Sequence, residues 1–127
     1  MCRLLNNEIS RSAVKNHLRL FTDEGEVKVK ETREFLSLSM QQLADVFGLT
    51  LDQVRETRMS DKVKEKIKEL AAALEFVAET FDGNATKTKF WIKTPNPNFG
   101  GSTPLNLIIH GKHQKVLNFI LAARKNY

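Results

Sequence analysis

Phe90-Trp91-Ile92-Lys93-Thr94-Pro95-Asn96-Pro97-Asn98-Phe99-Gly100-Gly101-Ser102-Thr103-Pro104-Leu105-Asn106-Leu107-Ile108 holds all three prolines of the chain, its one tryptophan and two of its six glycines. Each proline forces the residue before it out of the helical region. A helix through Trp91 must therefore stop near Lys93. Gly100-Gly101 admits positive φ and a tight reversal. Thr103-Pro104 reads as an N-cap followed by proline at the first helical position. The stretch is thus a helix end, a rigid loop and a helix start, and it serves either as a structural corner or as a binding surface.

Outward from this corner the composition is that of an ordinary globular protein, 41% apolar and 28% charged over 127 residues. One domain, or two small ones sharing a core, is expected. The single cysteine, Cys2, excludes an internal disulfide and fits a reducing cytoplasm. No signal peptide or membrane-spanning run is visible, so no membrane association is expected. His17, His110 and His113 lack metal-ligand spacing, and neither a metal nor a cofactor is expected. The net charge of +5 is uneven. Residues 84–127 carry seven Lys/Arg and no Asp or Glu, which leaves residues 1–83 at −2. A basic third of this kind is either a surface for an anionic partner or a solvated face.

Upstream, the chain reads as successive helices, giving an all-α fold. Ile9, Ala13, Val14, Leu18 and Phe21 place one helix over 8–21. Glu26 to Lys30 alternates and is expected to be briefly extended, too short to build a sheet. Thr32–Leu38 reads as a short helix. Ser39 with Gln42 forms a capping box for the next, which stops at Gly48. Thr50, with Gln53 three residues on, starts another. Ala44, Gly48 and Val54 have helix-turn-helix spacing, so Thr50, Gln53, Arg55, Arg58 and Lys62 are candidate DNA contacts. Asp52 and Glu56 on the same face oppose that use, because phosphate attraction dominates nucleic-acid affinity. The other reading is a hairpin used for packing.

Ser60 to Phe81 is the longest expected helix. Val63, Ile67, Leu70, Leu74, Val77 and Phe81 form a narrow stripe, read either as an intramolecular core helix or as the seam of a homodimer. Ala85–Lys93 and Pro104–His110 read as short helices, and Lys112 to about Lys125 as the last. The sequence holds no phosphate loop, nucleophile elbow or metal-ligand helix, so the chain is not expected to be an enzyme.

Trp91-Ile92-Lys93-Thr94-Pro95-Asn96-Pro97-Asn98-Phe99-Gly100-Gly101-Ser102-Thr103-Pro104-Leu105 resembles the signature of the Xre/MbcA/ParS antitoxins. Their toxin-binding domain has tryptophan, an apolar residue, one residue, T-P-N-P, two residues, G-G, one residue and T-P-L. Trp91, Thr94, Pro95, Asn96, Pro97, Gly100, Gly101 and Thr103 fall on these fixed positions. An apolar helix, a glycine break and a final amphipathic helix follow in the family, as Leu107–Ile109, Gly111 and Val116–Leu121 do here. Upstream, the chain is similar to members with a degenerate Xre-like helix-turn-helix. The division that results is an N-terminal extension over 1–25, the helix-turn-helix and long helix over 26–82, and a toxin-binding domain over 83–127.

The resemblance implies a cytoplasmic bacterial antitoxin that blocks the active site of a RES-domain toxin, an enzyme that consumes NAD or transfers ADP-ribose from it. It also implies dimerisation and repression of the protein's own operon through operator DNA. The binding surface is expected on the face and tail that the corner orients, at Pro104, Leu105, Ile108, His113, Lys115, Arg124, Lys125 and Tyr127. Many members of the family carry acidic residues in the last two helices, and these are absent here. The alternative is a stand-alone helix-turn-helix regulator without a toxin partner.

Overall fold

A computed structural model describes residues 16–55 and 57–125. In them the chain forms α1 (Val29–Phe35), α2 (Met40–Phe47), α3 (Asp61–Thr80), α4 (Ala85–Ile92), α5 (Pro104–Ile109) and α6 (His113–Lys125). Two 3-10 turns, Asp52–Val54 and Pro97–Phe99, complete the regular structure among the described residues. The only β pairing among them is one isolated antiparallel bridge, Phe21 to Val27. The all-helical expectation therefore holds.

α3 is the axis of the molecule. Ser60 caps it by accepting from the Val63 N–H at 3.3 Å. Its N-terminal half buries the expected stripe at Val63, Ile67 and Leu70. From Leu70 to Ala78 every residue is buried. The stripe thus widens into a helix enclosed on all sides, with Ala71, Ala72, Ala73 and Ala78 letting its neighbours approach. α6 and α4 pack on α3, while α5 packs on α2, α4 and α6. The apolar stripe that also suggested a dimer seam is occupied by this intramolecular core.

Several expected boundaries move. Of the helix expected over 8–21, residues 8–15 lie outside the described structure, and 16–21 are a turn running into the bridge at Phe21. The reason is tertiary: the Leu18 and Leu20 N–H groups donate to the Glu75 carboxylate at 2.8 and 3.1 Å, so they are not available to a helical ladder. α1 begins at Val29 rather than Thr32 and ends before Ser37, which sits at φ 58°.

The capping box of α2 is present, with Ser39 Oγ accepting from Gln42 N at 3.1 Å and Gln42 Oε1 from Ser39 N at 2.9 Å. Gly48 closes α2 in the left-handed region. Thr50 and Gln53 repeat the reciprocal arrangement. The helix expected to follow does not propagate: it is the single 3-10 turn Asp52–Val54, and Arg55 is already extended. Past Val54 there is no apolar residue three or four positions on, only Thr57 and Arg58. A short helix with nothing to bury is unstable in water. Among the described residues the structure therefore has the first helix and the turn of a helix-turn-helix, followed by a single 3-10 turn in place of a second helix.

Candidate functional site

The corner is assembled by local chemistry that repeats along it. Asn84 caps α4 by accepting from Lys87 N at 2.9 Å. α4 ends at Ile92 with Lys93 as its C-cap. Thr94 Oγ1 donates back to the Phe90 carbonyl at 2.6 Å, which blunts that end. Asn96 then holds the loop closed. Its side chain accepts from Asn98 N at 2.9 Å, its N–H donates to the Ser102 carbonyl at 3.0 Å, and its carbonyl accepts from Gly101 N at 3.0 Å. Gly100 and Gly101 make the reversal at φ 65° and 86°. Thr103 Oγ1 accepts from Asn106 N at 2.9 Å and Pro104 opens α5, as expected. A Cβ at Gly101 would meet no atom within 4 Å, so the penalty of Gly101→Val is conformational alone. About 1–2 kcal/mol of lost stability is expected, readable as a lowered urea midpoint.

Four aromatic rings fix this corner to the core. Trp91 lies 6.2 Å from Phe81 at the end of α3, 6.5 Å from Phe99 in the loop and 6.2 Å from Phe119 of α6, stacked on the last at 17°. Phe99 and Phe119 meet edge to face at 5.2 Å. All four are half-buried, so Trp91 is a clamp at the rim of the core.

The expected binding residues divide by burial. Pro104 and Ile108 are buried under α5, and Leu105 is half-buried against the core. α5 is only six residues long and packs against three neighbouring helices, so little of it faces outward. His113 is half-buried, edge-on to Phe47 at 6.4 Å, and burial pushes its imidazole below the ordinary range. Arg124 is committed within the molecule. Its guanidinium donates to the Phe76 carbonyl at 2.6 Å and to Thr80 Oγ1 at 3.0 Å, lies 3.6 Å over the Phe76 ring and faces Glu79 at 3.9 Å. It satisfies a backbone carbonyl near the C-terminal end of α3, where a cation also complements the helix dipole. Lys115 and Lys125 are exposed on α6. Tyr127 lies outside the described residues.

The expected DNA contacts Thr50, Gln53, Arg55, Arg58 and Lys62 are all exposed. They do not share a helix. Thr50 and Gln53 bond to each other, and Asp52 faces both arginines, Arg55 at 4.0 Å and Arg58 at 3.8 Å.

Two features went unread in the sequence. Glu75 is 1% exposed in the middle of α3. Its signal was available, since it is the one charge in Ala71-Ala72-Ala73-Leu74-Glu75-Phe76-Val77-Ala78. Phe90 is 72% exposed, on the opposite side of α4 from Thr88 and Ile92, which are buried. The apolar triplet Phe90-Trp91-Ile92 hides this, because neighbours on a helix face different directions. Among the described residues no helix is long and apolar enough to cross a membrane.

The corner is also where the chain meets known proteins. Residues 77–111 match the family model of the antitoxin Xre/MbcA/ParS C-terminal toxin-binding domain. The match runs from the end of α3 through α4, the loop and α5 to Gly111, and α6 packs directly on it. Searches of curated proteins and of solved structures gave no match. The segment that Asn84, Asn96, Thr103 and the Trp91 cluster hold in shape is thus the part of the chain that is similar to the toxin-binding domain of the Xre/MbcA/ParS antitoxins.

Proposed function

We propose that this chain inhibits a RES-domain toxin, an enzyme that consumes NAD or transfers ADP-ribose from it, by covering its active site with the C-terminal third. The observation that carries the reading is the family match over 77–111, on a corner whose caps, loop closure and ring cluster hold it rigid. Rigidity of this kind lowers the ordering cost of binding a protein partner. The exposed surface of residues 84–125 is basic, with Lys87, Lys89, Lys93, Lys112, Lys115 and Lys125 all outward, which suits an acidic toxin surface. The dimer and the operator contact are left out of this proposal. The stripe offered for the first is inside the core, and the second lacks its reading helix.

The test is to look for a RES-domain reading frame beside this gene and to assay its purified product for NAD consumption with increasing amounts of this chain. Inhibition saturating at a fixed stoichiometry is expected, and full toxin activity at excess would sink the reading. The mode of blocking has its own test. A truncation after Leu121 would also remove Arg124 and with it the hold on Phe76 and Thr80. Removing only Asn126 and Tyr127 spares that hold. We expect this shorter truncation to weaken inhibition about tenfold or more with an unchanged melting temperature, as for the loss of one anchoring residue. Undiminished inhibition would place the block on the helical face instead of the tail.

A further inference from the structure

The exposed side of α4 is not explained by the fold. Phe90 projects from it into solvent, 72% exposed, while Thr88 and Ile92 already supply the buried side. Beside Phe90 runs an open groove of about 570 Å³ between α4 and α1, with Phe35 on its far side and Ala85 at one end. Two lysines edge it. Lys89 Nζ stands 5.2 Å over the Phe35 ring, and Lys93 Nζ donates to Ser37 Oγ at 3.2 Å. Each ammonium is therefore held by a neutral group, and among the described residues neither is paired with a carboxylate. α1 contributes only Phe35 to the lining. The groove thus brings two aromatic rings together with two lysines one helical turn apart along its α4 wall.

We infer that this groove receives an acidic, apolar segment of the toxin: an aromatic or aliphatic side chain against Phe90 and Phe35, flanked by carboxylates that meet Lys89 and Lys93. The proposal rests on the inhibitor reading above and deepens it. Charge decides among occupants. Residues 1–15 of this chain carry Arg3, Arg11 and Lys15 against Glu8 alone, so they bring the wrong sign. A second copy docked about a two-fold axis through the groove sets lysines against lysines, because such an interface presents the same patch from both sides. An acidic partner segment meets ammoniums of the opposite sign, which selects it over a basic one, and the exposed aromatic supplies the anchor that commonly dominates interfaces.

The experiment uses the full chain and the purified product of a RES-domain reading frame found beside its gene, with Kd measured by calorimetry. Phe90→Ala, and the pair Lys89→Glu with Lys93→Glu, are each expected to raise Kd about tenfold or more. The pair Lys89→Arg with Lys93→Arg is expected to bind like the parent. Kd for the parent is expected to rise with salt, and less so for the charge-reversed pair. Melting temperatures should stay together, since both lysines and Phe90 are exposed. A complex whose Kd ignores all these changes overturns the groove proposal and leaves the inhibitor reading standing. Absence of any complex overturns the inhibitor reading and the groove proposal with it. Self-association that Phe90→Ala abolishes, with toxin affinity unchanged, overturns the proposal in favour of a second copy.

Discussion

Glu75→Leu is expected to destabilise the fold by about 2–4 kcal/mol, a large share of a small domain's total. The carboxylate accepts from the Leu18 N–H at 2.8 Å and the Leu20 N–H at 3.1 Å, and Leu20 is itself 1% exposed. Leucine fills the space but leaves two backbone donors without an acceptor. Each orphaned buried donor costs about 1–3 kcal/mol. Release of residues 16–21 from α3 limits the total, since freed donors return to water. Glu75→Gln keeps one acceptor oxygen and should fall between the two. Urea unfolding followed by circular dichroism measures both, and a Glu75→Leu protein as stable as the parent would show that the segment does not depend on this contact.

The same residue gives a pH signature. Burial raises the Glu75 carboxyl above its ordinary 4.5, while the two N–H donors and His17 oppose the rise. A raised folded value means that the folded chain holds a proton the unfolded chain has released. Stability therefore falls as pH rises from 4.5 through the folded value, and the burial penalty is fully expressed above it. Glu75→Gln has no such titration. The stability gap between the parent and Glu75→Gln should widen in the parent's favour as pH is lowered through this window, and a pH-independent gap would contradict the assignment.

Trp91→Ala is expected to cost about 2–4 kcal/mol, less than a wholly enclosed tryptophan because the ring is half-buried. Its loss removes the stacking on Phe119 and the contacts to Phe81 and Phe99 together, so α4, the loop and α6 lose their common joint. The damage should be local. Hydrogen exchange is expected to accelerate at Asn96 and Gly101, whose N–H groups close the loop, while the amides of Leu70 to Leu74 in the core of α3 stay protected. Uniform loss of protection would mean that the corner and the core unfold as one unit.

The contrast between these two residues shows what could be read in advance. Trp91 stands in a stretch whose unusual composition announces it, and the loop around it could be written down from proline, glycine and cap rules alone. Glu75 sits in an alanine-rich helix, outside the six-residue apolar stripe that draws the eye, although a lone acid in such a run is itself a signal. Arg124 looked like part of a basic surface, and the structure turns it inward onto Phe76 and Thr80. Thr50 and Gln53 bond as the sequence led one to expect, and the helix beyond them still fails for want of an apolar face.

The chain by itself determined whatever depends on groups within a few residues of one another. The Ser39, Ser60, Asn84 and Thr103 caps, the stop at Gly48 and the closed loop from Asn96 to Ser102 all bond across short spans, so residue type and spacing settle them. Tertiary structure alone decided which faces were spent. Glu75 reaches donors 57 and 55 residues away, Arg124 an acceptor 48 away, and Phe90 stays exposed because Thr88 and Ile92 already fill the space beneath α4. The physical reason is that a cap needs only its own turn, whereas burial is a property of what packs alongside. The corner between Trp91 and Leu105 was therefore legible at once, while the surface it presents became visible only when the helices were assembled.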